Sequence, residues 1–188
     1  MLRLLTLAFW QAGNLPAAGR AVRDWARAEP ERPAPYRTAA RIYEDMRALS
    51  MAVDAAVRET ERAPNDGSAW ERLGRLRLRT FDRAGARAAL EHARSIEPSE
   101  QGLLDLALVA NLLGDTGAEV SACEQATLLA PASAAAWSRL AHALARTDRR
   151  GECLAACDRA LALLDDPEVR NLRAQVVAAE PRAIEAAA

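Results

Sequence analysis

The residues of this chain best equipped for chemistry are three cysteines, Cys123, Cys153 and Cys157, and two histidines, His92 and His142. Cys153 and Cys157 stand four apart, a spacing that puts two thiols on one helix face and could turn both toward a metal ion. His142 has no Cys or carboxylate motif to partner it, and His92 falls on the outer side of its helix, so both read as surface residues. Three cysteines are too few for a disulfide scaffold and suit a reducing compartment. There is no P-loop, no dinucleotide fingerprint and no nucleophile–base arrangement. We therefore expect no catalysis, no cofactor and no metal site from this chain, and read the cysteines as small buried hydrophobes.

The other reactive chemistry is charge. All 25 basic residues are Arg, which we read mainly as coding bias in a GC-rich, bacterial genome. A net charge of −1 and a pI near 6.2 give no bulk electrostatic case for nucleic acid or an anionic membrane. The charge is uneven, with 17 Arg against 12 acids in residues 1–94 and 8 against 14 in residues 95–188. A polarised array of this kind could stack head to tail or orient a charged partner; drift in a solvated surface is the plainer account.

The elements that must position these groups are helical. Half of the chain is apolar yet only 4% is aromatic, and a mixture of Ala, Leu, Arg and Glu favours helix over strand. Prolines set a period: Pro30, Pro64, Pro98 and Pro131 are 34, 34 and 33 residues apart. A fixed period of that length means a stacked array. Registered on the prolines, the seventh position of each unit is Leu5, Ala39, Leu73, Leu106 and Leu140, and the eighth is Thr6, Ala40, Gly74, Ala107 and Ala141. The fourth is Leu2, Tyr36, Trp70, Leu103 and Trp137. The twentieth is Ala18, Ala52, Ala86, Glu119 and Cys153, and the twenty-fourth is Val22, Ala56, Leu90, Cys123 and Cys157.

These columns resemble the tetratricopeptide repeat (TPR), most closely in the third unit, through Trp70, Leu73, Gly74, Ala86, Leu90, Ala93 and Pro98. The resemblance implies an all-α, right-handed superhelical solenoid of antiparallel helix pairs. The repeats are about 1–32, 33–66, 67–99, 100–133 and 134–166, followed by a capping helix at 167–179, all in a single domain over 1–179. Residues 180–188 are expected to be a flexible tail.

Packing physics gives the same reading. Small residues at the eighth and twentieth positions let two helices approach, and larger ones fill the space beside them. Proline past the second helix stops it. Ser68 with Glu71 and Thr116 with Glu119 have capping-box spacing, Asp166-Pro167-Glu168 reads as a helix start, and Gly13-Asn14 and Gly114-Asp115 read as turns. Two residues break the pattern: Arg77 and Glu119 occupy positions where burial is expected. Either their stems snorkel, or the register slips so that Ala118 packs instead of Glu119.

The two ends differ. Val169, Leu172 and Val176 give the last helix one apolar stripe, as a solvating cap requires. The first helix is apolar nearly all round, and Leu4, Leu7 and Trp10 mark it as an oligomer or partner interface. Its start superficially resembles a signal peptide, but the repeat claims the same residues, so a cytoplasmic location is expected over secretion. No run is long enough to insert in a membrane. A capped end favours a finished unit, and an uncovered first helix keeps a fragment of a larger assembly in play.

The TPR resemblance also implies a peptide-binding concave groove lined by first helices. Carried over by position, it contains Arg3, Leu7, Trp10 and Gln11; Arg37, Arg41, Glu44 and Asp45; Ser68, Glu71, Arg75, Leu78 and Arg79. The later repeats add Gln101, Leu104, Leu108, Asn111 and Leu112, then Ser138, His142 and Arg146. The groove is Arg-rich with an apolar strip in the fourth repeat, which suits an acidic segment or free C-terminus. Solvated arginines are the plainer reading. The chaperone-binding members of the family use a Lys/Asn clamp over three repeats; with no Lys, that ligand is not implied, nor is the Asn ladder of the O-linked N-acetylglucosamine transferases. The expected function is thus a non-catalytic protein- or peptide-binding scaffold. The alternatives are a homo-oligomer built through the first helix, and a regulatory arm of an enzyme or secretion assembly.

Overall fold

The computed structural model describes residues 1–179, so the expected tail at 180–188 lies outside the described residues. Those residues form eleven helices and no strand: α1 (Leu2–Gln11), α2 (Leu15–Ala28), α3 (Pro33–Asp45), α4 (Leu49–Arg62), α5 (Gly67–Arg79), α6 (Arg83–Ile96), α7 (Glu100–Leu112), α8 (Thr116–Leu129), α9 (Ala134–Leu144), α10 (Arg150–Leu163) and α11 (Pro167–Ala178). The repeat boundaries read from the prolines all fall in connections between helix pairs. The chain divides at Pro98–Ser99 into two compact units. In the first, α1, α3 and α5 each pack on the helix that follows, and α2 and α4 pack on the next pair. In the second, α7 to α10 continue the same order, and α11 covers α10.

The columns of small residues are the contact seams. Thr6, Ala40, Ala107 and Ala141 are fully buried at the eighth position, and Ala18, Ala52, Ala86 and Cys153 at the twentieth. Gly74 shows how close the helices come: a Cβ there would stand 2.6 Å from Cγ of Leu90, so only glycine fits without displacement.

Helix starts depart from the expected boxes. The caps are Asp66, which accepts from Ser68 N at 3.0 Å, and Asp115, which accepts from Ala118 N at 3.0 Å. Ser68 and Thr116 lie inside the helices, because an Asx carboxylate one or two residues earlier already satisfies the free N–H groups. Asp166 does cap α11, accepting from Glu168 N at 2.8 Å. The turns inside the first and fourth helix pairs use Gly13 (φ 72°) and Gly114 (φ 75°) in the left-handed region. The equivalent positions in the second and third pairs hold Arg47 (φ 60°) and Phe81 (φ 62°), where a side chain carries strain.

Candidate functional site

Each unit carries a cavity on the face made by its first helices. In the first unit, a cavity of about 550 Å³ is lined by Trp10, Arg41, Glu44, Asp45, Arg47 and Arg79. These side chains come from the last turns of α1, α3 and α5 and from the strained turn at Arg47. The resemblance points to five of them; Arg47 stands outside its groove positions, and only its positive φ marks it. Trp10 Nε1 donates to Asp45 Oδ2 at 2.6 Å, and Arg79 pairs with Glu44. Arg41 and Arg47 form no ion pair among the described residues. Three guanidinium groups thus stand here beside two carboxylates, Glu44 paired with Arg79 and Asp45 accepting from the Trp10 indole, so the wall carries one net positive charge.

The second unit has a cavity of about 540 Å³, lined by Asn111 of α7, Glu119 of α8, Ser138, Arg139, His142 and Arg146 on the α9 side, and Asp166 and Glu168 at the α11 start. Glu119 is only 2% exposed. Asn111 Nδ2 donates to both of its oxygens at 3.3 Å, and Arg146 pairs with it as well. Glu119 therefore neither snorkels nor yields to Ala118, which is half-buried; it sits at the packing position as a paired, buried carboxylate. Arg77 does snorkel: its guanidinium reaches the carbonyl of Gly85 at 3.1 Å and Asp82 at 3.6 Å.

Other expected groove residues lie elsewhere. Arg37 faces inward, with Nε donating to Glu59 at 2.7 Å and the terminal nitrogen to Asp66 at 2.5 Å; Arg72 Nε completes the clamp on Glu59 at 3.0 Å. Glu59 is fully buried in a column that is Ala in later repeats. Hydrogen bonding to Glu59 holds the Arg37 guanidinium above its ordinary basicity, against the opposing cost of burial. Asp66 is held below the usual carboxylate range by hydrogen bonds from Ser68 and the charge of Arg37, although burial acts in the opposite direction. Glu71, Arg75 and Leu78 are on α5 outside the cavity wall, and Glu71 and Arg75 have partners of their own. Leu104 packs on Leu103, Ala126 and Ala136, and Leu108 is half-buried, so neither lines the second cavity. On α1, Leu4 is 71% exposed, whereas Leu7 and Trp10 are half-buried, and Trp10 belongs to the cavity.

The cysteines are buried thiols. Burial pushes Cys123 up to about 12 and Cys157 up to about 11, and raises Cys153, whose Sγ donates to the carbonyl of Ala141 at 3.3 Å. Groups so far from ionising do not act as nucleophiles near neutrality.

No family model and no curated protein matches this sequence. Solved structures do. MamA superposes with a TM-score of 0.78 at 18% identity, over 93% of this chain and 92% of that one. YrrB, described as a TPR protein with an unusual peptide-binding site, gives 0.74 at 16%, over 86% and 84%. A thermophilic TPR protein of Thermus thermophilus gives 0.61 at 20%, over 94% and 97%. With helices paired as described, the fold of this chain is the tetratricopeptide-repeat fold. Among the described residues no helix is long and apolar enough to cross a membrane.

Proposed function

We propose that a chain of this fold is a non-catalytic scaffold that holds an acidic segment of a protein partner in the first-helix cavity of its first unit. The carrying observation is the pair Arg41 and Arg47, free of ion pairs beside carboxylates that are already engaged. Trp10 offers a flat apolar wall, and the two guanidinium groups offer forks for carboxylates. YrrB, with the same fold, is described as having a peptide-binding site, which supports the class of ligand but not its sequence.

A displayed library of random peptides panned against the full chain tests this reading. Enrichment of acidic peptides is expected, lost when Arg41→Glu and Arg47→Glu are combined while helicity is unchanged. Selection of the same peptides by that variant would remove the anion-site reading.

A further inference from the structure

A different face of the first unit carries an opening of its own. In the third and fifth repeats the fourth-position indole is covered from the second helix: His92 lies 4.3 Å from Trp70, ring to ring, and the Arg159 guanidinium 5.9 Å from Trp137. Those repeats also place Leu73 and Leu140 at the seventh position, both buried. The second repeat has the smaller Tyr36 for the indole and Ala39 for the leucine. Beside these two smaller residues lies a cleft of about 450 Å³ between α2 and α4, within the size range of ligand sites. Its floor is apolar, with Val22, Tyr43 and Met51, the last 39% exposed. Arg23 on α2 and Arg58 on α4 stand on its two banks with no ion pair among the described residues; Asp54 shares the α4 bank, and Arg27 is paired with Asp24.

The guest this cleft fits is apolar with adjoining acid. The second unit presents that chemistry where α10 ends: Leu163 is 45% and Leu164 61% exposed, and the Asp165 side chain, 75% exposed, pairs among the described residues with the exposed Arg170. The halves of the chain carry opposite charge excess, so approach of a second copy in this sense is favoured. We propose that the α2–α4 cleft of one copy takes residues 163–165 of a second copy, a heterologous contact that joins copies head to tail. One cleft is a small interface, so the association is weak and salt-sensitive. It uses none of the cavity residues assigned to the peptide, so either idea can fail alone.

Sedimentation velocity of the full chain over a concentration series is the test. Species larger than the monomer should grow with concentration and shrink with salt. Combining Arg23→Glu with Arg58→Glu should weaken association by about tenfold or more, as should Leu163→Ser, with far-UV circular dichroism unchanged. Asp165→Arg should restore association with the doubly charge-reversed cleft. A fluorescein-labelled peptide copying residues 161–168 should bind the wild-type chain and not the cleft variant. A monomer at every concentration, or association indifferent to these substitutions, overturns the proposal.

Discussion

The two first-helix cavities are nearly equal in volume, at about 550 and 540 Å³, but differ in charge: Arg41, Arg47 and Arg79 stand against Glu44 and Asp45 in the first, Arg139 and Arg146 against Glu119, Asp166 and Glu168 in the second. Each unit buries one carboxylate between repeats, and where that carboxylate sits decides the chemistry of the open face. In the first unit it is Glu59, late in the second helix, where Arg37 and Arg72 hold it and leave Arg41 and Arg47 at the cavity unengaged. In the second it is Glu119, one helix turn from the helix start, where it lines the cavity and takes Arg146 for itself. Asp166 and Glu168 then add carboxylates to the rim. A cation drawn into packing is lost to a ligand.

Removing the anchors separates the units most strongly. Arg72→Met leaves Glu59, fully buried, with only Arg37, and should cost about 3 kcal/mol, read as a lower urea midpoint. Arg146→Met should cost about 1 kcal/mol, because that pair is open to water on the arginine side, at 45% exposure, and Asn111 remains. Equal losses would mean that the two carboxylates are equivalent and the contrast false.

The contrast can also be erased from the other side. Glu119→Ala restores the small residue of this column and frees Arg146. In a chain already carrying Arg41→Glu and Arg47→Glu, it should raise affinity for an acidic peptide about tenfold, with little change in stability. Titration by fluorescence anisotropy measures this, and no gain would show that Glu119 is not what closes the second cavity to anions.

A smaller effect isolates Arg47. Its left-handed backbone is strained, so Arg47→Gly should add about 1 kcal/mol of stability while weakening peptide binding severalfold. Stability and affinity moving together would argue that the turn is tuned for folding alone.

At neutral pH the smallest effect belongs to the second unit, through its thiols, and it grows only in alkali. Cys123 titrates near 12 when folded against an ordinary 9.0, so between those values the unfolded chain gives up a proton that the folded chain keeps. The unfolded state then binds fewer protons, and stability falls as pH rises above about 9. Chemical unfolding at rising pH should show that decline, and Cys123→Ala should lessen it, the remainder belonging to Cys157 and Cys153, which burial also raises.

Much of the fold is legible in the sequence. Proline spacing and the columns of small residues locate every helix pair, because close helix contacts and helix stops are local in sequence. Arg37 and Glu119 are less legible: Arg37, at a groove position, turns to Glu59, and Glu119 stays charged at a packing position, because in each case a partner 20–30 residues away bears the opposite charge. The period also does not report that Asp66 and Asp115 cap helices in place of Ser68 and Thr116, or that Arg47 adopts a glycine conformation. Both depend on backbone angles at a single residue.

The clamp on Glu59 also bears on how such an array can change over generations. Its two arginines come from the second and third repeats, so the carboxylate is satisfied only while those repeats remain adjacent. A duplication or recombination that inserted a repeat at this point would strand a buried charge unless the newcomer also brought an arginine in the place of Arg72. Joints packed with alanine carry no such requirement. The first unit is thus locked in its order at this joint, and growth of the array is easier where the seam is neutral.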